Sequence, residues 1–202
     1  MIKFIYFDVG GVFVNCENYF KKVTSDFKIP YDIFLKQWDT YNDSITRGKI
    51  APQEFWGKVR DNLQIIDGAT YDFLENWISD YIFISPSSDF VKGISSTYRV
   101  GILTNIYEGM LSRLMQKGLV PSIKYSVIID SSEVHMKKPD AEIYELAQKR
   151  ANVAPIEILL VDDREDFIKV ASNFGWQAIQ FQTNNPSASI KAIKKMIATA
   201  QI

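Results

Sequence analysis

The stretch Phe4-Ile5-Tyr6-Phe7-Asp8-Val9-Gly10-Gly11-Val12 is an apolar run that ends in an acidic residue and a flexible turn. Short continuous apolar runs are typical of strands buried on both faces of a parallel sheet. A carboxylate at the carboxyl end of such a strand lies where open α/β sheets bind ligands. Asp8 is therefore predicted to be a nucleophile, a metal ligand or both.

Apolar, β-rich runs alternate with helix-like segments through much of the chain. We predict strands at residues 3–9, 99–103, 125–129, 158–161 and 177–181, and helices at residues 107–117, 141–150, 165–174 and 188–200. This alternation is typical of an α/β fold with a doubly wound parallel sheet and right-handed crossovers.

One long interval breaks this alternation, because its sequence indicates helices only. These helices are predicted at residues 19–27, 31–41, 52–62 and 71–81, and Pro86 with its neighbouring serines is interpreted as a hinge. We predict a core domain of residues 1–14 and 86–202 and a helical cap of residues 15–85 over the strand ends. Most cap aromatics are expected to form the cap's own core, and the alternative is that one or two of them face a substrate.

Composition excludes several classes of protein. The 202 residues are 47% hydrophobic, which supports a full core, and 23 basic residues nearly balance 24 acidic ones. No basic field therefore favours nucleic acid as a partner. The single cysteine, Cys16, fits a reducing compartment, and no apolar run is long enough to span a membrane. We expect a soluble cytoplasmic protein without a membrane or nucleic-acid partner.

Polar residues of complementary type lie at or beyond the ends of three further strand-like runs. They are Thr104-Asn105, Lys138 and Asp162-Asp163. Because sheet topology brings such strand ends together, we expect Asp8 and Asp163 to be near neighbours.

Clustered carboxylates repel each other unless a cation joins them, and oxygen ligands without His or Cys select Mg²⁺ rather than zinc. Thr104, Lys138 and the amides of residues 9–11 can hold phosphoryl oxygens. Attack by Asp8 would then give an aspartyl-phosphate that water hydrolyses.

These residues resemble, in order, the four motifs of the haloacid dehalogenase (HAD) superfamily. The matching segments are residues 4–12, with Asp8 in the nucleophile position, and residues 101–105, 136–144 and 158–163. Residues 47–56 also resemble part of the helical cap of this family. The similarity is greatest to the sugar-phosphatase-like members, which resemble the amino-terminal phosphatase domain of soluble epoxide hydrolases.

The resemblance implies a Mg²⁺-dependent phosphatase that acts on a small phosphorylated metabolite through an aspartyl-phosphate on Asp8. The implied roles are catalysis by Asp8, Thr104 and Lys138; substrate binding by Gly10, Gly11 and Asn105; and Mg²⁺ binding by Asp8, Gly10 and Asp163, with Asp162 in support.

Two residues depart from the family pattern. Gly10 replaces the aspartate that usually serves as general acid and base, and Phe167 replaces an Asn or Asp of the fourth motif. The alternative is therefore a catalytically weak or inactive relative that binds a phosphorylated ligand or protein partner. His135, the only histidine, is interpreted either as a substitute proton donor or as an exposed loop residue.

Two other activities fit the residues less well. A receiver-like signalling domain would carry its paired acids early in the chain, whereas Asp162-Asp163 comes late. A haloacid dehalogenase proper is disfavoured because the lysine, the threonine and the double aspartate together favour phosphate.

Overall fold

The computed structural model describes residues 1–16 and 18–199 and has a parallel sheet at its centre. In chain order the strands are β1 (Phe4–Phe7), β2 (Val14–Asn15), β3 (Ile82–Phe83), β4 (Arg99–Thr104), β5 (Val127–Asp130), β6 (Ile158–Asp162) and β7 (Gln177–Gln180). The main sheet has five parallel strands in the order β5-β4-β1-β6-β7. The predicted parallel α/β sheet is confirmed.

Ten α-helices surround and extend this sheet within the described chain. They are α1 (Tyr19–Asp26), α2 (Tyr31–Thr46), α3 (Pro52–Leu63), α4 (Phe73–Ser79), α5 (Ser85–Ile94), α6 (Met110–Gln116), α7 (Ser131–Val134), α8 (Ala141–Ala151), α9 (Glu165–Asn173) and α10 (Pro186–Thr199). The predicted end of the last helix, at residue 200, lies outside the described residues.

The central strand β1 supplies both faces of the core. Its side chains alternate, so Ile5 and Phe7 join one buried cluster while Phe4 and Tyr6 join another. The second cluster includes α8 and α9, and the first includes α5, α6, α10 and the aromatic residues of α1–α4. Helices therefore cover both faces of the sheet, as in a doubly wound fold.

A two-stranded antiparallel ribbon joins the two ends of the helical segment. Val14 of β2 pairs with Phe83 of β3, and Asn15 pairs with Ile82. The prediction that this interval is helical throughout is therefore wrong. A two-residue strand is too short to produce a periodic pattern, so only the pairing of distant segments reveals it.

The hinge assigned to Pro86 is also wrong, because α5 begins at Ser85 and includes this proline in its first turn. Proline is tolerated there because the first amide hydrogens of a helix have no intrahelical acceptor. The domain boundaries stay a proposal, which the ribbon supports because it lies where residues 15–85 leave and rejoin the core.

The aromatic residues of α1–α4 pack mainly against one another, as predicted. Trp77 stacks on Tyr19 at 4.9 Å between ring centroids and contacts Trp38 edge-on at 5.2 Å, while Trp56 stacks on Phe73 at 5.9 Å. Among the described helices, none is long and apolar enough to cross a bilayer. The cytoplasmic location stays a prediction.

Candidate functional site

Asp8 lies directly beyond the carboxyl end of β1, between the ends of its two neighbouring strands. Its backbone N–H donates to the carbonyl of Val161 at 3.0 Å, which aligns it with the end of β6. The residue is 6% exposed, and its Oδ1 accepts a hydrogen bond from the N–H of Val9 at 2.7 Å. Strand pairing therefore fixes the position of Asp8.

Lys138 places a buried ammonium between two carboxylates. Its Nζ lies 3.0 Å from Oδ2 of Asp8 and 2.5 Å from Oδ2 of Asp162. Burial acts to lower the pKa of Lys138, but the charges of Asp162 and Asp8 outweigh it and raise the pKa. Lys138 therefore stays protonated and compensates charge that would otherwise be costly to bury.

Asn105 holds the loop that carries Lys138. Its Oδ1 accepts from the N–H of Lys138 at 2.8 Å, and its Nδ2 donates to the carbonyl of Lys138 at 2.7 Å. Asn105 also lines the cavity above the site, where it was expected to bind substrate. Because both polar atoms of its amide are already engaged, we propose that it mainly positions Lys138.

Replacing Asn105 with alanine should therefore destabilise the fold. The backbone N–H and carbonyl of Lys138 would both lose their hydrogen-bond partners, and each unpaired buried group costs about 1–3 kcal/mol. Urea denaturation would measure the loss, with Asn76→Ala on the exposed face of α4 as the control. Equal stability of the two variants would contradict the positioning role.

Three carboxylates converge at the strand ends. Asp8, Asp162 and Asp163 each offer an oxygen atom, and these atoms lie within 4.8 Å of one another. Burial, and then the charge of Asp8, raise the pKa of Asp163 to about 6. Burial also raises the pKa of Asp162, while the Lys138 ammonium opposes the rise. A divalent cation would relieve this concentration of negative charge.

The two neighbouring aspartates have different partners. Asp162 uses Oδ2 to bind Lys138 and Oδ1 to accept from the N–H of Arg164 at 3.0 Å. The Asp163 carboxylate makes no hydrogen bond to another residue in the described part of the chain. Asp163 is therefore the residue whose oxygen is free to ligate a cation.

Gly11 is required by the close approach of its backbone to Asp163. Its φ is +70°, and a Cβ atom added there would lie 2.3 Å from the Asp163 side chain. Gly10 differs, because a Cβ there would meet nothing within 4 Å and its φ lies outside the left-handed region.

The amides of the turn are largely used within the turn itself. Val9 N–H donates to Asp8, and Gly11 N–H donates to the carbonyl of Val14 at 2.8 Å. Among the residues that the structure describes, no acceptor faces the N–H of Gly10. Of the three amides expected to hold phosphoryl oxygens, this one remains available.

Thr104 ends β4 with its hydroxyl buried beneath the site. The residue is 1% exposed, and its Oγ1 has no hydrogen-bond partner in residues 1–16 and 18–199. It does not line the cavity. An unpartnered buried hydroxyl costs stability, so a ligand oxygen that reached it would satisfy an existing donor.

A cavity of about 420 Å³ opens above these groups. Its core-side lining includes six of the predicted site residues: Asp8, Gly10, Gly11, Asn105, Lys138 and Asp163. Its volume lies at the lower end of the range of small-molecule sites.

Comparison with known proteins identifies the family of this chain. Residues 2–175 match the family described as haloacid dehalogenase-like hydrolase. The chain belongs to this family. No curated protein matches the sequence significantly. The expected subgroup of sugar-phosphatase-like members stays a prediction.

Solved HAD structures share this fold at low identity. A HAD family enzyme from Bacteroides thetaiotaomicron, in complex with magnesium and inorganic phosphate, has 22% identity and a TM-score of 0.75 over 91% of this chain and 96% of that chain. A protein from Porphyromonas gingivalis described as a predicted HAD-like family hydrolase has 19% identity and a TM-score of 0.76, over 98% of both chains. An L-2-haloacid dehalogenase from Xanthobacter autotrophicus, with chloropropionic acid covalently bound, has 17% identity and a TM-score of 0.66 over 90% of this chain and 78% of that chain.

Phe167 fills the position where the HAD pattern often has Asn or Asp, and it has an apolar role here. Its ring is buried, with Lys138 Nζ 4.9 Å and Arg164 Cζ 4.4 Å from the ring centroid. The ring thus contacts both cations and forms part of the cavity wall.

His135 does not take part in this HAD-like site. It is exposed, its Nδ1 lies 2.8 Å from the carbonyl oxygen of Arg47, and it is absent from the lining of the cavity. Its interpretation as a substitute proton donor is therefore wrong, and the loop interpretation holds.

Other cavity residues were not found from the sequence as part of the site. They are Asn42, Thr46, Trp77, Tyr81, Tyr107 and Arg164. Tyr107 and Arg164 each lie within two residues of a recognised motif, which was the only available signal. Asn42, Thr46 and Trp77 lie on helices α2 and α4, and Tyr81 lies between α4 and β3, so their orientation over the sheet is a property of the tertiary structure.

Proposed function

We propose that this HAD-like hydrolase is a Mg²⁺-dependent phosphatase that transfers the phosphoryl group of a small phosphorylated metabolite to Asp8 and then to water. One observation carries the proposal. Three carboxylates converge with a buried ammonium below a small-molecule cavity. The carboxylates can hold a cation, and this cation and the Lys138 ammonium would allow a phosphate anion to approach the anionic nucleophile Asp8.

Charge is the main physical argument. A phosphate monoester carries about −1.5 to −2 charges near neutral pH, and Asp8 adds one more. Asp8, Asp163 and the carbonyl of Gly10 would hold Mg²⁺, which would screen the phosphate from the attacking carboxylate. The donor set fits because it consists of hard oxygen atoms and because the Asp163 carboxylate makes no hydrogen bond to another described residue.

The protein groups would divide the work of the reaction. A carboxylate oxygen of Asp8 attacks phosphorus, the bond to the leaving oxygen breaks, and that oxygen takes a proton from solvent. Water then attacks the phosphorus of the aspartyl-phosphate, which releases inorganic phosphate and regenerates Asp8. Lys138 orients Asp8 throughout, and the hydroxyl of Thr104, which is buried below the cavity, would donate to a phosphoryl oxygen that reached it.

The solved relatives support this proposal. The Bacteroides thetaiotaomicron enzyme that shares the fold was solved with magnesium and inorganic phosphate together. At 22% identity this likeness concerns the fold, so the transfer of its ligands to this chain belongs to the proposal.

Dehalogenation is a second candidate, and Gly10 favours it. Halide leaves without a proton, so the missing general acid would not matter, and the Xanthobacter autotrophicus enzyme carries covalently bound chloropropionic acid. Displacement of halide has no need of a cation, however, and would leave the carboxylate cluster without a role. Gly10 also supports a catalytically weak relative that only binds a phosphorylated ligand.

The deciding experiment measures phosphate and halide release in parallel. We expect phosphate release from acetyl phosphate to require Mg²⁺, to stop on addition of a chelator and to return with excess Mg²⁺. We expect no halide release from 2-chloropropionate. Chelator-resistant halide release would identify a dehalogenase, and phosphate binding without release would identify the binding protein.

Matched variants of the two neighbouring aspartates test the metal assignment. Asp163→Asn should weaken Mg²⁺ binding, measured by calorimetry, by more than about 10-fold, a loss seen even for outer-shell partners of a metal. Asp162→Asn should have a smaller effect because both oxygens of Asp162 are already bound within the protein. The reverse order would transfer the ligand role to Asp162.

A further inference from the structure

The two walls of the cavity differ in charge. The charged residues of its lining, Asp8, Lys137, Lys138, Asp163 and Arg164, all come from the sheet side. Five uncharged residues of the lining are here named the neutral wall: Asn42, Thr46, Trp77 and Tyr81 from the predicted cap, and Tyr107 from the loop after β4. Burial raises the pKa of both tyrosines, so their hydroxyls stay protonated.

Asn42 is the polar centre of the neutral wall, and two hydroxyls fix its orientation. Its Oδ1 accepts from Thr46 Oγ1 at 3.1 Å and from the hydroxyl of Tyr107 at 3.2 Å. Within residues 1–16 and 18–199, Asn42 Nδ2 makes no hydrogen bond. The amide oxygen is therefore occupied, and the two N–H groups are left for a ligand.

The carboxyl end of α2, which carries Asn42 and Thr46, is tied to the core beside Lys138. Ser131 Oγ donates to the carbonyl of Thr46 at 2.7 Å in a buried contact, and Lys137 Nζ lies 2.7 Å from Oδ1 of Asp43. These contacts fix the position of Asn42 above the charged residues of the sheet side. A side chain that recognises substrate needs such a fixed position.

We propose that the neutral wall selects a substrate whose organic part is uncharged and bears hydroxyl groups. Asn42 N–H donates to a hydroxyl or ether oxygen of that group, while Trp77 and Tyr81 pack against its carbon atoms. A carboxylate or ammonium in this place would lose water without gaining a charged partner. The inference rests on the proposed function, because the phosphate end of the substrate is assigned to Asp8 and Mg²⁺.

Substrates of similar size test this selection. We expect kcat/KM with Mg²⁺ to be higher for glycerol phosphate than for phosphoglycerate or phosphoethanolamine by about 10-fold or more. All three have ordinary alkyl leaving oxygens, so the comparison reports on the organic group. Equal values, or a preference for a charged group, would overturn the inference.

Asn42→Asp should change this ranking, because it replaces the amide donor with an anion of the same shape. We expect glycerol phosphate to lose about 10-fold in kcat/KM and phosphoethanolamine to become the better substrate. Thr46→Val, which frees the Asn42 amide to turn, should weaken selection without this reversal. Thr40→Val is the matched control on the exposed face of α2, where the Thr40 hydroxyl donates a hydrogen bond to the carbonyl of Lys36. An unchanged ranking in Asn42→Asp would overturn the inference.

Acetyl phosphate separates this inference from the proposed function. Its organic group is too small to depend on the neutral wall, so its Mg²⁺-dependent hydrolysis by the wild type tests the phosphate chemistry alone. If no phosphate is released from any substrate, the proposed function fails. Calorimetry with Asp8→Asn then decides the inference, because selective binding of glycerol phosphate supports it and equal binding of the three esters overturns it.

Discussion

Asp8→Asn is expected to abolish phosphate release, with a loss in kcat of at least about 10³-fold, because the amide is a poor nucleophile. The fold should survive. The substituted side chain has nearly the same shape, and the buried Lys138 keeps its contact with Asp162.

The measurement is phosphate release with Mg²⁺ present, together with thermal unfolding of each variant. Asp39→Asn, on the exposed surface of α2, is the control for the chemical change itself. Mass spectrometry of acid-quenched wild type should also find the phosphoryl group on Asp8. Activity within about 10-fold of wild type in Asp8→Asn would place the nucleophile elsewhere.

Gly10→Asp is expected to raise the hydrolysis of alkyl phosphates by about 10²–10⁴-fold, the usual contribution of general acid–base catalysis. In the wild type no carboxylate lies two residues after Asp8 to protonate the leaving group. Aryl and acyl phosphates, whose leaving groups need no proton, should therefore react faster than alkyl phosphates. The position can accept the change, because an added Cβ at Gly10 meets nothing within 4 Å and its φ is not left-handed.

Gly10→Asn is the matched control, because the asparagine side chain has nearly the same shape as aspartate but no carboxyl group that could act as a general acid or base. We expect Gly10→Asn to leave the alkyl-to-aryl rate ratio unchanged and Gly10→Asp to raise it. Wild-type enzyme that already hydrolyses alkyl and aryl phosphates equally fast would show that another group supplies the proton.

The parallel sheet could be predicted because burial on both faces leaves a mark on the chain itself. The apolar runs around Phe7, Leu103 and Val161 are continuous and short, which is what a central parallel strand requires. The positions of Asp8 and the double aspartate followed from the same sheet, since parallel strands end at one edge, whereas Lys138 lies in the loop between α7 and α8 and not at a strand end.

The β2–β3 ribbon and helix α5 were missed for different reasons. Two-residue strands have no period to detect, and their pairing joins segments that are far apart in sequence. Pro86 suits both a hinge and the first turn of a helix, so the local sequence is compatible with either.

The hydrogen-bond partners of the site residues could not be predicted from the sequence either. Asn105 follows β4 as predicted, but only the structure shows that its side-chain amide forms hydrogen bonds with the Lys138 backbone. The burial of the Thr104 hydroxyl likewise depends on how the adjacent elements close over it.

By itself, the sequence determined the HAD-like fold and identified the charged floor of the cavity, formed by Asp8, Lys138 and Asp163. The apolar runs, the polar residues that follow them and the order of the motifs can all be read directly along the chain. Only the tertiary structure decided which cap residues face that floor. The cap helices present apolar residues on more than one side, so their sequence fits several rotations. Contacts such as Ser131 with Thr46 select one of them and bring Asn42 over the site.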